Sequence, residues 1–320
     1  MFLLIVISLA SLCIGSSAIK LSTILNLFNL SKDSAEYNIL VKIRFPRILL
    51  GFAVGGALSL AGTILQTVFR NPLIEPYTLG ISGGASLGVC LVFVFKIYTV
   101  IGSIAFPLAG FLGALLTIFT LYFLRLKKEG KQLQNIILTG VMISFISSSL
   151  VMLMLAVSSS EDISGIIYWV MGSLDEPNFY LIALIFIVSL ICLFITHLYS
   201  LELNAIVLGE DDAKLLGINT NKLQLIMFVI ASILTGLSVS VSGIIGFVGL
   251  VVPHFVRMFT GLDHRLLLSS SFIAGASFLI LSDTFARTII SPLELPVGVI
   301  TGIIGGIVFI YTLSHKKFVL

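Results

Sequence analysis

The stretch RNPLIEPYTLGISGG, residues 70–84, interrupts an otherwise apolar part of the chain. An apolar segment that ends at Phe69 precedes it, and another follows through residues 89–95. Pro72 and Pro76 exclude a continuous helix through this stretch, because each proline lacks an N–H and restricts the residue before it. The stretch therefore predicts a tight turn at which the chain leaves a membrane and re-enters it.

The composition is typical of a membrane protein. Of the 320 residues, 58% are hydrophobic and only 10% are charged, which is too little charge to cover the surface of a soluble domain. Apolar runs long enough to cross a hydrocarbon core of ~30 Å recur along the whole chain. These features predict a single all-α integral membrane domain over residues 1–320.

Ten transmembrane spans are expected from these runs. Small residues at 16–18 leave open a signal peptide, but no basic segment precedes the first run and the second span needs a partner of opposite direction. A retained first helix is therefore favoured. The predicted spans are residues 1–19, 46–69, 76–95, 98–124, 132–157, 178–199, 223–242, 244–260, 266–289 and 296–314.

The distribution of lysine and arginine gives the orientation. The short loop LRLKKEGK, residues 124–131, is the most basic one and is expected on the cytoplasmic side, which puts both termini there too. The turn at 70–84 then lies on the same side, with Arg70 and Glu75 in the headgroup region. A basic group at residues 42–47 falls on the outer side, against the usual rule, and this invites a functional explanation.

Motifs for catalysis are lacking. The sequence contains no GxxxxGK[ST], HExxH or CxxC, so it predicts neither nucleotide hydrolysis by a phosphate-binding loop nor a zinc site, and no cofactor or metal is expected. The three cysteines sit in apolar runs without ligand spacing, as buried or lipid-facing residues do. The chain is therefore expected not to be an enzyme.

Glycines recur every four residues in the third and tenth spans, at Gly80, Gly84 and Gly88 and again from Gly298 and Gly302 onwards. Such a face permits close helix packing, and it could equally line a pathway for a bulky solute. The spacing by itself favours packing.

Polar residues within the spans are few. His254 and Arg257 follow Pro253 in the eighth span, and Asp283 and Arg287 are four residues apart in the ninth, as an ion pair would be. They do not form the chain of acids or histidines that a proton relay needs.

The loop at residues 200–222 is the longest one on the cytoplasmic side. It predicts two short helices, at 203–208 and 211–216, separated at Gly209 and stopped at Gly217. Acidic residues open the second helix, where the helix dipole favours them. The helices are either an amphipathic surface element or a docking element for a cytoplasmic motor.

Four long motifs carry a resemblance to a known family. They are RFPRILLGFAVGGALSLAGTILQTVFRNPLIEPYTLGISGGASLG (44–88), LGEDDAKLLGI (208–218), GIIGFVGLVVPHFVRMFTGLDHR (243–265) and ELPVGVITGIIGG (294–306). In this order they resemble the FecCD-like membrane subunit of type II ABC importers for iron chelates, haem and cobalamin. The resemblance implies ten helices per subunit, a dimer of subunits around a pathway, two cytoplasmic ATPase subunits that bind ATP, and an extracytoplasmic binding protein.

The resemblance also assigns residues. It implies binding-protein docking by Arg44, Arg47 and Arg287, and substrate choice mostly in the binding protein. It also implies a short helix at 163–172 that helps to close the outer mouth, and a related part for residues 294–299. Ferric siderophore is the expected cargo in the inner membrane of a prokaryote, with haem, cobalamin and oxyanions open; an ion-coupled secondary transporter is the alternative. The implied ATPase-coupling residues are Leu208, Gly209, Glu210, Asp211, Asp212, Ala213, Leu215, Leu216 and Gly217, and the pathway residues are Gly80, Ser82, Gly83, Gly84, Leu133, Gln134, Gly298 and Gly302.

Overall fold

A computed structural model describes residues 2–15, 17, 19–25, 34–126 and 132–315, and every regular element in these ranges is a helix. The thirteen longer helices are α1 (Phe2–Cys13), α2 (Phe45–Val68), α3 (Ile81–Val94), α4 (Ala105–Leu126), α5 (Gln132–Val157), α6 (Ser160–Met171), α7 (Phe179–Leu198), α8 (Ser200–Leu208), α9 (Glu210–Leu215), α10 (Thr220–Ser242), α11 (Val248–Thr260), α12 (His264–Thr288) and α13 (Val297–His315). Shorter turns of helix lie at Leu21–Leu25, Ala35–Asn38, Ile39–Arg44, Pro76–Leu79, Tyr98–Ile101 and Gly102–Ile104.

Each predicted span contains one of these helices, but the helices differ in length. Six segments of the described chain are long and apolar enough to cross a membrane. The helices α1, α3, α11 and α13 are shorter apolar helices. The six long segments are Ala35–Val68, Tyr98–Leu124, Asn135–Val157, Phe179–Leu198, Thr220–Ser242 and His264–Thr288.

The third and eighth predicted spans are wrong as continuous helices. Residues 76–79 form a separate 3-10 turn, and Gly80, with φ of +79°, separates that turn from α3. Residues 243–247 are not helical, and Phe247 adopts a left-handed φ of +68° directly before α11. Both α3 and α11 are therefore half-length helices that follow an irregular segment.

Helix α2 lies at the centre of the bundle, and most of its residues are buried. Its glycines permit contact between backbones, because a methyl group on Gly62 would lie 1.8 Å from the Gly249 carbonyl oxygen. A methyl group on Gly55 would lie 2.4 Å from the carbonyl oxygen of Gly275 in α12. The spacing of small residues thus serves close packing here, as it does in other membrane helices.

Helix α1 packs against α12. Leu4 and Ile7 share a buried apolar cluster with Ala276 and Ile280. Near the end of α1, the Ser11 hydroxyl is within 2.9 Å of the Thr284 hydroxyl, which also donates to a backbone carbonyl of its own helix. These contacts support the expectation that the first helix is part of the folded domain.

Candidate translocation, docking and coupling sites

Arg47, at the start of α2, binds two carboxylates from distant parts of the chain. Its guanidinium lies 2.7 Å from Glu294 and 3.5 Å from Asp175. The Arg47 side chain is only 9% exposed, whereas those of Asp175 and Glu294 are 74% and 46% exposed. Within the described chain, its Nε and Nη1 have no hydrogen-bond partner. Arg47 is therefore a buried cation with exposed counter-ions and spare donors.

The other two docking candidates are also engaged within the chain. Arg287 donates from Nε to Asp283 at 2.9 Å and from Nη2 to the Ser11 hydroxyl at 3.0 Å. Arg44 donates to the backbone carbonyls of Leu12 and Ser17. All three arginines are buried, since Arg44, Arg47 and Arg287 are 2%, 8% and 5% exposed.

Two of the arginines meet at one cavity. Arg47 and Arg287 line a space of about 200 Å³, together with Asp283 and Glu294. The predicted helix at 163–172 is present as α6 and ends beside this space, and the irregular residues 294–296 lie there too, directly before α13. Burial raises the pKa of Glu176 in the nearby loop, and the hydrogen bond from the Asn178 amide opposes this shift.

The segment that the sequence assigns to ATPase coupling has the predicted form. Helix α8 ends at Gly209, whose φ of +152° permits the sharp separation from α9, and Gly217 follows α9 with a φ of +82°. The first turn of α9 carries three acidic residues. The other residues that the resemblance assigns to coupling are Leu208, Glu210, Asp211, Asp212, Ala213, Leu215 and Leu216.

The side chains of this segment divide between core and surface. Ala213 is fully buried, whereas Leu208, Leu215 and Leu216 are 72%, 86% and 67% exposed. Lys214 lies 3.4 Å from Glu210, and the charge of Glu210 raises the Lys214 pKa, so the lysine stays protonated. Exposed leucines on a charged turn are the features expected of a surface that a partner covers.

The glycines assigned to the pathway do not share one environment. Gly80 packs against the Gly140 carbonyl of α5, Gly83 against Ser144 and Ser147, and Gly84 against the Gly113 carbonyl of α4. Ser82 is half-buried beside them in α3. Close packing therefore accounts for this group of small residues.

The two glycines of α13 also differ. A methyl group on Gly298 would lie 2.3 Å from the Met171 carbonyl oxygen, so this glycine is a packing residue. Gly302 has open space where a side chain would be. Leu133 and Gln134 lie in the first turn of α5, and their side chains are outside the described part of the structure.

Long apolar faces of α5 and α13 remain uncovered. On α13, Ile303, Ile307 and Ile310 are 57%, 65% and 66% exposed, and these residues follow helical spacing. On α5, Phe145 and Met152 are 65% and 68% exposed. Either lipid or another subunit would cover such faces.

The two irregular segments of the bundle meet. Glu75 accepts a hydrogen bond from the Phe247 amide at 2.5 Å, and the Tyr77 hydroxyl accepts one from the Ile245 amide at 3.2 Å. This contact was not predicted from the sequence, from which Glu75 was expected to lie among headgroups. Its signal would have been an acidic residue between two prolines, together with a second glycine-rich break at residues 243–249.

The described residues contain no group of three or more His, Cys, Asp or Glu side chains placed to hold a metal ion.

Residues 3–315 match the FecCD transport family. The chain belongs to this family. It is 34% identical over 319 residues to the hemin transport system permease protein of Yersinia pestis, which covers 99% of this chain and 94% of that protein. It is 37% identical over 321 residues to the vitamin B12 import system permease protein of Klebsiella pneumoniae, and this match covers 98% of this chain and 92% of that protein.

The fold agrees with this relationship. A solved structure described as an inward-facing conformation of a metal-chelate type ABC transporter matches with a TM-score of 0.84 and 29% identity, over 98% of this chain and 97% of that one. The FecCD chain described here is a multi-pass membrane permease of an ABC importer, and it is not itself an enzyme.

Proposed function

We propose that this FecCD permease imports an iron chelate, foremost a ferric siderophore, as a homodimer with two ATPase subunits and an extracytoplasmic binding protein. Haem and cobalamin remain alternative cargoes, since relatives of similar identity are named for hemin and for vitamin B12. Ten membrane crossings with both termini in the cytoplasm are part of the proposal.

The exposed leucines of α8 and α9 carry the proposal. Leu208, Leu215 and Leu216 project from a short helical pair that is anchored to the bundle through the buried Ala213. An element of this kind, with a buried anchor and an apolar tip, suits insertion into a groove on an ATPase subunit. ATP-driven closure of two such subunits would then move the anchored helices.

The outer face is the proposed docking surface for the binding protein. Arg47 has two N–H groups without partners beside a cavity of about 200 Å³, and its present counter-ions Asp175 and Glu294 are exposed. An incoming carboxylate could replace Glu294 without leaving a buried charge unpaired. Arg44 and Arg287 are proposed to bind further acidic residues of the partner, in exchange for their present contacts to backbone carbonyls and to Asp283.

The pathway is proposed to lie between two copies of the chain. The uncovered faces of α5 and α13 would line it, with Gly302 at an open position. Leu133 and Gln134 are proposed at its gate, and Gly80, Ser82, Gly83, Gly84 and Gly298 are proposed to shape its wall through packing.

The first experiment is native mass spectrometry of the complex. A tag after Leu320 would be used to purify the chain from native membranes in mild detergent. Two permease copies with two ATPase subunits are expected. A permease that transports in proteoliposomes without any ATPase subunit would support an ion-coupled secondary transporter instead.

A substitution in the coupling segment makes this test specific. Leu215→Glu places a charge on a side chain that is 86% exposed, so the isolated permease should keep its stability while ATPase retention falls about tenfold. Tyr311→Glu is the control, because it places the same charge on another exposed side chain, on the apolar face of α13 and outside the coupling segment. Tyr311 is 63% exposed, and the substitution should leave ATPase retention unchanged while it weakens the permease dimer.

The cargo is tested separately. Cells that lack their own importers and express the complete system would be supplied with radiolabelled ferric siderophore, haem or cobalamin. Uptake of the siderophore alone would support the proposal, and uptake of either other compound would replace it.

A further inference from the structure

Arg257 is a half-buried cation in α11 that the proposed import cycle does not use. Its Nη1 donates to the Gln66 side-chain oxygen at 2.7 Å, and this is its one polar contact within the described residues. No carboxylate of those residues forms an ion pair with it. An uncompensated charge inside a membrane domain is unfavourable, and such residues usually serve a function.

Gln66 fixes the position of this guanidinium. The Gln66 amide nitrogen lies 3.3 Å from the Ile74 carbonyl oxygen and 3.1 Å from that of Gly249, and the side chain is almost fully buried. These contacts commit the nitrogen to donation and turn the amide oxygen towards Arg257. Because the amide is neutral, Gln66 orients the arginine but does not neutralise its charge.

A cavity of about 210 Å³ adjoins Arg257, and a second arginine faces it. Arg70 is exposed and holds a left-handed φ of +48°, an unusual conformation for a residue with a side chain. None of the lining residues is acidic. They are Gln66, Thr67, Arg70, Val207, Arg257, Leu262 and His264.

His264 belongs to the wall of the cavity. Its Nε2 lies 2.7 Å from the Thr67 hydroxyl, and its Nδ1 lies 2.8 Å from the Asn204 side-chain oxygen. Both ring nitrogens are therefore already occupied, and the available donors that face the cavity are those of Arg70 and Arg257.

We propose that this cavity binds a phosphate-type anion between Arg70 and Arg257. A guanidinium group presents a planar set of donors that fits the oxygens of a phosphate group, and two such groups can donate to it from two sides. The volume is far larger than one water needs. The anion is either the headgroup of an anionic lipid or free phosphate, which share this chemistry.

The surroundings of the cavity are suited to the membrane interface. Leu262 on its wall is 37% exposed, and the neighbouring Phe259 is 85% exposed. Basic pockets between membrane helices commonly receive anionic headgroups, with the acyl chains on adjacent apolar side chains. The cavity is also lined by Val207 of α8, so its occupant would lie at the base of the coupling segment.

The test uses the full-length permease in neutral detergent. Binding of radiolabelled inorganic phosphate would be measured by equilibrium dialysis at constant ionic strength, and retention of phosphatidylglycerol over phosphatidylcholine by native mass spectrometry. Arg257→Gln and Arg70→Gln should each weaken anion binding about tenfold. Arg265→Gln removes the same charge from an exposed residue outside the cavity and should have no effect.

The two ligands separate the sources of the anion. Arginine-dependent retention of phosphatidylglycerol without phosphate binding identifies a lipid site, and arginine-dependent phosphate binding identifies a site for the free ion. Should Arg257→Gln fail to fold, Arg70→Gln decides, because Arg70 is exposed. Unchanged binding of both ligands in Arg70→Gln would overturn the proposal. Loss of ATPase retention in that variant with both ligands still bound would instead make the cavity a protein contact.

Discussion

The Glu75 carboxylate accepts a hydrogen bond from the Phe247 amide, across 172 positions of sequence. Glu75 lies in the turn before the half-length helix α3, and Phe247 is the residue directly before the half-length helix α11. The first amides of a helix lack partners and carry partial positive charge. The Glu75 carboxylate thus supplies an acceptor for an unpaired amide at the start of α11, and it connects the two irregular segments of the bundle.

Replacing Glu75 should destabilise the permease. Glu75→Ala leaves the Phe247 amide without its partner in largely apolar surroundings. We expect the free energy of unfolding to fall by about 1–3 kcal/mol. Glu75→Gln retains an oxygen acceptor and should lose less. The measurement is the unfolding midpoint of the purified permease, with Glu161→Gln, an exposed acid at the start of α6, as control. Equal midpoints for Glu75→Ala and wild type would show that the contact contributes nothing.

Gly62 and Gly302 should respond differently to alanine. Gly62→Ala puts a methyl group 1.8 Å from a backbone oxygen of α11, so we expect the free energy of unfolding to fall by at least about 3 kcal/mol. Gly302→Ala meets open space and should be neutral or stabilising by up to about 1 kcal/mol. Expression and thermal unfolding in detergent check both. A well-folded Gly62→Ala would show that α2 and α11 are farther apart than described.

Glu294→Gln should cost more stability than Arg47→Met. The first change leaves a buried guanidinium with only the longer contact to Asp175, whereas the second removes the buried charge and leaves two carboxylates that water can solvate. We expect about 1–3 kcal/mol for Glu294→Gln and less for Arg47→Met. Thermal unfolding of both variants and of Asp175→Asn gives the order. The reverse order would mean that the ion pair is a net stabilising contact.

The same Arg47→Met protein also tests docking. If the binding protein presents a carboxylate to Arg47, its affinity should fall about tenfold and depend less on salt. Surface plasmon resonance on nanodiscs at several ionic strengths would measure this. Unchanged affinity and salt dependence would remove Arg47 from the docking surface.

Glu176 should make stability depend on pH. Burial raises its pKa in the folded chain, so its contribution is fully present below the pKa of the unfolded chain and is lost as pH rises through the folded pKa. Glu176→Gln should therefore unfold at a higher temperature than wild type at pH 7. The difference should shrink towards pH 4. A constant difference at all pH values would contradict this explanation.

The sequence predicted the helices well, because a membrane span requires a long apolar run and the chain has few interruptions. The separation of α8 from α9 was likewise predicted, because Gly209 and the acidic residues after it mark the end of one helix and the start of the next. The half-length helices α3 and α11 could not be predicted, because an irregular segment inside a membrane domain has the same apolar composition as a helix.

The environment of the arginines could not be predicted either. Arg47 is buried because Asp175 and Glu294, from two distant loops, come together over it. Nothing near Arg47 in the sequence indicates this arrangement. Long-range pairing likewise brings Glu75 to Phe247 and Arg257 to Gln66.

The glycine contacts of α2 have a mechanical consequence. Where Gly62 meets Gly249 and Gly55 meets Gly275, backbone touches backbone, so no side chain can change rotamer to accommodate sliding. The three helices α2, α11 and α12 therefore behave as one rigid body. We expect any displacement during a transport cycle to carry α2, α11 and α12 together, because none of them can slide past another without breaking a contact between backbones.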